Sequence, residues 1–351
     1  MRSRWHVSAV PANNPLEALV FRSRLIGEEE RLGLFGGGNT STKGEAPDLL
    51  GQPQAILWVK GSGADLKGCE ARHFSPLRLE VVRQLSGRAH MSDEEMVAFL
   101  ERCLVDPKAP RPSVETLLHA FIPERDIDHT HADAILSLAN THHGEALVRK
   151  VLGKQLLWIP YLQPGFALSK RVFEAYRRQP SAQGAVLEKH GLITWGPDGR
   201  TSYVRTIRYV SMAERFLARQ RRRARGVAHG RPAHSHAEAT ALLRQYLPAI
   251  RGTISRRRKV CLTSWDSPDV LAFVNTKQLL SLARIGPATP DHMLRTKRLP
   301  LIMERSSRSS VAVSPQALVR QLERYAAAHQ RYFLKYRQPE HAMQDPYPRV
   351  I

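Results

Sequence analysis

The stretch "RDIDHTHADAIL" (125–136) sets two histidines one residue apart at the end of an alternating run. Asp126, Ile127, Asp128 and His129 alternate as a short strand does, and the apolar run after them reads as a helix. Residues i and i+2 of a strand point to one face, so His129 and His131 would project side by side. Two neutral imidazoles so placed can share one Zn²⁺ at about 2.0–2.1 Å. The pattern arises readily by chance in a chain with 15 histidines, so a third ligand must be sought elsewhere. His190 in "AVLEKHGLITWG" (185–196) is the best candidate. That stretch reads as one apolar strand, where an unpartnered imidazole is costly to bury, and Gly191 would admit a close neighbour. His142 and His143 lie in a polar turn, and His229, His234 and His236 lie in a stretch read as solvated. Three protein ligands leave an open coordination position, as catalytic zinc sites do.

Proton transfer near such a position needs a carboxylate. Glu115 in "RPSVETLLHAF" (111–121) follows Ser113, a helix cap in this reading. The glutamate is either an ordinary first-turn acid offsetting the helix dipole or the proton-transfer group. Two glycine-rich stretches, "FGGGNTSTKG" (35–44) and "VKGSGAD" (59–65), match neither GxGxxG nor the P-loop pattern, so they indicate no nucleotide site. They can still form anion nests through Gly38, Asn39, Lys60, Ser62 and Gly63. Ser113 at a helix N-terminus is a third donor-rich element. Each alone is more often a plain turn; together they suggest a bound phosphate.

Outward from these motifs, strands and helices alternate, which predicts an α/β fold. Helices are expected over 13–32 (cap Asn14), 91–105 (capping box Ser92 and Glu95), 169–179, 201–224, 237–251 and 314–336, with two short ones at 132–140 and 144–152. Strands are expected at 55–63, 156–162 and 259–265 besides those holding the histidines. "GVAHGRPAHSHAE" is a candidate boundary, which gives a domain over 1–225, a linker over 226–239 and a small α/β lobe over 240–351. Three distant cysteines form no disulfide framework, so a reducing cytoplasm is the default, and no apolar run is long enough to span a membrane. The net charge of +21 concentrates at 204–259, with 15 Lys or Arg against Glu214 and Glu238. Nucleic acid is disfavoured as its partner, because no aromatic residues interleave with the arginines of its two peaks, "RQRRRARG" (219–226) and "SRRRKV" (255–260), to stack bases.

In order, GGGNTS (36–41), KGSG (60–63), RPSVE (111–115), HTH (129–131) and EKHGLITWG (188–196) resemble the class II aldolase/adducin family. "DHTHADAI", "WIPYLQPGFALSK" and "GPATPDHMLRTKR" extend the likeness over nearly the whole chain. They make it most similar to the aldolase half of fusions that join rhamnulose-1-phosphate aldolase to a short-chain alcohol dehydrogenase. No dinucleotide fingerprint is present, so the dehydrogenase half is expected to be absent.

The resemblance implies a central mixed sheet flanked by helices. It makes His129, His131 and His190 zinc ligands and Glu115 the catalytic acid/base. Gly38, Asn39, Ser62, Gly63 and Ser113 fall at phosphate-binding positions. Val114 stands where many relatives have a second serine, a loss Lys60 would offset. The family's proton-donor tyrosine comes from a neighbouring subunit, and Tyr161 is its candidate. The implied reaction is cleavage of L-rhamnulose 1-phosphate, a sugar phosphate, to dihydroxyacetone phosphate and L-lactaldehyde by a homo-oligomer, a tetramer. A pentulose-phosphate 4-epimerase and a non-catalytic adducin-like module are the alternatives. For the tail two readings stand: Arg295 or Lys297 faces the anionic substrate, or the segment is a linker domain whose Thr289-Pro290-Asp291 simply caps a helix.

Overall fold

The computed structural model describes residues 1–11, 14–223, 236–303, 313–339, 341–343 and 345–351. Most of the expected linker, with His229 and His234, lies outside them. The chain divides into two compact units. The first is Met1–Gln220 with Ala288–Asp291, and the second is Arg221–Pro287 with His292–Ile351.

The first unit is built on one sheet of seven strands: β1 (Asn39–Pro47), β2 (Pro53–Lys60), β3 (Phe74–Arg78), β4 (Asp126–Thr130), β5 (Leu156–Ile159), β6 (Gly184–Leu187) and β7 (Gly191–Gly196). Their order is β3-β2-β1-β4-β7-β6-β5. Every pairing is antiparallel except β5 with β6, which is parallel, so the sheet is mixed. Its helices are α1 (Pro15–Gly27), α2 (Leu79–Arg83), α3 (Asp93–Arg102), α4 (Thr116–Phe121), α5 (Asp133–Ala139), α6 (Gly144–Leu152), α7 (Phe166–Arg178) and most of α8 (Gly199–Arg223). Asn14 caps α1 by accepting from the Leu16 and Glu17 amides, and Ser92 with Glu95 closes the capping box of α3.

Strand alternation sorts side chains to two buried faces. Ile127, Ala185 and Ile193 pack with Leu118, Leu168 and Val172 of α4 and α7. Val186 and Leu192 pack with Ile135, Leu152 and Tyr203 of α5, α6 and α8. In the central pairing, Asn39 faces His129 and Ser41 faces Ile127 on the α4 side, while Thr40 faces Asp128 and Thr42 faces Asp126 on the other.

On the α1 side, Arg22 pairs with Asp126 and, through Nε, with Asp128 at 2.8 Å. It also donates to the Ser41 carbonyl at 2.7 Å, and Ser23 and Thr40 hydroxyls meet at 2.6 Å. These contacts tie together a strand pair that is buried yet polar. They lock α1 against the strand that carries His129. Burial pushes the Asp128 carboxyl up to about 6 despite the nearby guanidinium.

Several expectations need correction. The stretch 185–196 is not one strand but a hairpin, β6 and β7, with His190 in the turn and Lys189 at φ 56°. The glycine-rich stretch at 35–44 becomes strand from Asn39 onward, because its polar residues are paired on both faces. Helix α4 starts at Thr116, with Glu115 rather than Ser113 at the cap position.

The second unit was expected to be α/β. Its described residues carry helices only: α9 (His236–Ile254), α10 (Pro268–Val274), α11 (Leu279–Ala283), most of α12 (Pro290–Thr296) and α13 (Pro315–Tyr336). The stretch 259–265 is not in a strand, and Val260 and Leu262 pack on Ile250, Ile254, Leu318 and Leu322 instead. Lys297 donates to the Asp345 carbonyl within this unit. Among the described residues no helix is long and apolar enough to cross a membrane.

Candidate metal centre

His129 comes from the end of β4, His131 from the residue after it and His190 from the β6–β7 turn. Two glycines make that meeting possible. A side chain on Gly38, at φ 68°, would start 2.6 Å from the His129 carbonyl. One on Gly191 would start 2.3 Å from the Thr130 carbonyl. Backbone packs where Cβ atoms would otherwise stand.

The three imidazoles converge through Nε2. His129 Nε2 lies 3.0 Å from His131 Nε2 and 3.2 Å from His190 Nε2. The other ring nitrogen is committed in two cases: His129 Nδ1 meets the Leu192 carbonyl at 3.1 Å and His131 Nδ1 meets Asp291 Oδ1 at 2.8 Å. An acceptor at Nδ1 leaves the proton there and the lone pair at Nε2. Burial drives His129 down to about 3, so it is neutral.

Glu115 completes the cluster, with Oε2 3.5 Å from His129 Nε2 and Oε1 3.1 Å from His190 Nε2. Burial opposes its charge, and the surrounding imidazoles outweigh that and hold its carboxyl well below the usual range. Among the described residues its Oε1 has no hydrogen-bond partner. Imidazole lone pairs and a carboxylate oxygen thus face one another in a buried space. That arrangement suits a cation placed between them. The donor set, three histidines with ligand atoms within 4.8 Å of one another, is one that could hold a metal ion, and three nitrogens are a catalytic zinc set.

Behind Glu115 runs a hydrogen-bond chain absent from the sequence expectations. Ser41 Oγ meets His119 Nδ1 at 2.7 Å, His119 Nε2 donates to Asn39 Oδ1, and Asn39 Nδ2 donates to Glu115 Oε2 at 2.6 Å. His119 is fully buried, and burial lowers it to about 3. The signal that picked out His190, an imidazole in apolar sequence, also applied to His119 in "TLLHAF".

The donor-rich turns are brought together. Gly61 pairs with Pro112, and the Ser62 amide donates to the Arg111 carbonyl at 2.9 Å. Asn39 Nδ2 also reaches Ser113 Oγ at 3.3 Å. Ser62 and Gly63 are exposed, and Gly63 turns at φ 82°. Lys60 is buried under this turn, donating to the Ala64 carbonyl at 2.6 Å. Its amine therefore holds the loop in shape. Tyr161 is 53% exposed, with its amide donating to Glu188 and Lys189 near its ring.

The mixed sheet thus brings together three histidines that could hold a metal ion, with a buried glutamate beside them. The chain belongs to the class II aldolase/adducin family. Residues 17–217 match the family model "Class II Aldolase and Adducin N-terminal domain", and residues 241–351 match "Aldolase class II, second domain".

Among its relatives is a Bacillus subtilis protein named "Uncharacterized oxidoreductase YuxG", 39% identical over 339 residues. The match covers 96% of this chain and 49% of that protein, so the chain spans about half the relative's length. A solved structure, the N-terminal class II aldolase domain of a conserved protein from Thermoplasma acidophilum, is 40% identical with a TM-score of 0.58. That match covers 62% of this chain and 99% of the other.

Proposed function

We propose that this chain is a metal-dependent aldehyde-lyase that reversibly cleaves a ketose 1-phosphate, with L-rhamnulose 1-phosphate as the substrate and dihydroxyacetone phosphate and L-lactaldehyde as products. The observation that carries this reading is the buried cluster of three Nε2 atoms with the Glu115 carboxylate beside them. In it, His129, His131 and His190 hold a Zn²⁺. The bound ion supplies Lewis-acid stabilisation of negative charge on the substrate oxygens.

The chain's own groups do the rest. In the condensation direction Glu115 takes a proton from C3 of dihydroxyacetone phosphate. In cleavage the C3–C4 electron pair returns to the three-carbon fragment and Glu115 delivers a proton to C3. Asn39 holds one carboxylate oxygen, so the proton moves at the other. The exposed Ser62–Gly63 turn, with Gly38 and Ser113, takes the phosphate, Lys60 shapes that turn, and Asn39 is committed instead to Glu115 and Ser113. Binding the unreactive end fixes the reacting carbon at the cluster. Tyr161 removes the proton from the C4 hydroxyl in cleavage. Its exposed position suits a group that serves the site of a neighbouring copy in a homo-oligomer.

The complete ligand set with its carboxylate favours this reading over a non-catalytic adducin-like module. The test is release of dihydroxyacetone phosphate from the ketose 1-phosphate by the metal-loaded chain, with a pentulose 5-phosphate run beside it. Release from neither substrate would remove the proposal. Isomerisation of the pentulose phosphate alone would make the chain an epimerase.

A further inference from the structure

Asp291 is 160 residues from His131 in sequence, in the stretch that matches the family's second-domain model, yet the segment Ala288–Asp291 packs within the first unit. The side chain is buried, and both of its oxygens are engaged. Oδ1 lies 2.8 Å from His131 Nδ1, and Oδ2 accepts from the Leu34 amide at 3.1 Å. The segment is anchored again where Asn140 Nδ2 donates to the Ala288 carbonyl at 3.0 Å. Gly37 makes room for it, since a Cβ there would sit 2.0 Å from Asp291 Oδ1. The middle glycine of "GGG" (36–38) is thus explained by the carboxylate lying against it.

We infer that Asp291 is a positioning residue for the metal centre, which holds His131 with its proton on Nδ1 and its Nε2 lone pair turned toward His129 and His190. The inference rests on the metal site of the proposed function. Its logic is general. A carboxylate that accepts from the far nitrogen of a ligating imidazole fixes the ring's orientation and tautomer and makes it a better donor. It also places a negative charge beside a site that takes up a dication. His129 receives the same service from a neutral carbonyl, that of Leu192. Among the described residues, His131 alone of the three has a carboxylate at Nδ1. His190 Nδ1 has no hydrogen-bond partner among the described residues, so the cluster depends on the other two rings for its fixed geometry.

The test is zinc affinity by chelator competition on the full chain, with thermal melting of each metal-free variant measured in parallel. Losing such a partner typically costs about 10–100-fold in metal affinity. Asp291→Ala is expected to lose that much. Asp291→Asn keeps an acceptor for the Nδ1 proton but not the charge, so it should fall between parent and Asp291→Ala. The cobalt(II) absorption band of Asp291→Ala should also shift, because one ring is free to turn. Should Asp291→Ala not fold, Gly37→Ala displaces the same oxygen from the opposite side and should give the same loss. Asp291→Ala binding zinc within twofold of parent overturns the inference while leaving the metal site standing. Equal losses in Asp291→Ala and Asp291→Asn, tracking equal drops in melting temperature, would also overturn it, because Asp291 would then be structural only. A parent that binds no zinc removes the metal site and this inference together.

Discussion

The proposed mechanism rests on Glu115, the buried carboxylate whose Oε1 faces the converging imidazoles. Glu115→Gln keeps the shape but not the basicity. We expect it to bind zinc as the parent does and to slow solvent exchange at C3 of dihydroxyacetone phosphate by about 10²–10⁴-fold, the usual worth of a general base. Deuterium incorporation followed by NMR measures this, and a normal exchange rate would reduce Glu115 to a helix-terminal acid. Asn39 and Ser62 separate two roles that the sequence placed together as phosphate donors. Ser62 is exposed on its turn, whereas the Asn39 amide is spent on Glu115 and Ser113. Ser62→Ala should therefore weaken the phosphorylated ketose by about 1.5–3 kcal/mol and spare the unphosphorylated one. Asn39→Ala should slow turnover of both. Steady-state kinetics on the two ketoses decide it, and equal behaviour of the two variants would contradict the assignment.

At the scale of elements, the strand pair β1–β4 is held by polar groups on both faces, and each face has a testable consequence. On the α1 face, removing Arg22 strands two buried carboxylates. Arg22→Met should cost about 3–5 kcal/mol, the range for breaking a buried ion pair, read as a lower urea midpoint. On the α4 face, His119 is held down to about 3 by burial. Above its unfolded value near 6.5 the neutral ring's contribution to stability is fully present. As pH falls below 6.5 the unfolded chain takes up a proton that the folded chain refuses, and that contribution is lost. The stability gap between parent and His119→Gln, both metal-free, should thus narrow by up to about 1.4 kcal/mol per pH unit. Urea titrations at pH 7 and pH 5 check it; a constant gap would contradict the buried neutral ring.

The same strand pair explains why part of the fold escaped the sequence. Helices with caps, such as α1 and α3, could be read from Asn14, Pro15, Ser92 and Glu95. The strand "NTST" (39–42) has no apolar alternation to reveal it, because its partners Ser23, His119, Asp126 and Asp128 come from elsewhere in the chain. "KVCLTSW" shows the reverse error. Its apolar content suggested a strand, but Val260 and Leu262 are buried against helices without pairing. The three histidines were legible as a set from spacing and apolar context. Asp291 was not, since nothing near it in sequence marks a residue that acts 160 positions away.

For the whole molecule, the charge of +21 is partly spent internally. Arg205 donates to the Trp195 carbonyl, Arg251 to the Val260 carbonyl, and Arg256 pairs with Glu323. The basic stretch therefore has structural work among its described residues. Assembly is tested through Tyr161. If it serves a neighbouring copy, co-assembled Glu115→Gln and Tyr161→Phe subunits should recover activity that neither has alone, since mixed oligomers contain sites with both groups intact. Mixtures as inactive as their parts would place the proton donor elsewhere. The central claim, that the three histidines and Glu115 form an aldolase site, rests most directly on one measurement: the release of dihydroxyacetone phosphate from L-rhamnulose 1-phosphate by the full chain, before and after chelation and after zinc is restored. The account predicts release that chelation abolishes and about one equivalent of zinc restores. Release that continues at the same rate in the chelated protein, or none from the zinc-loaded one, would contradict it.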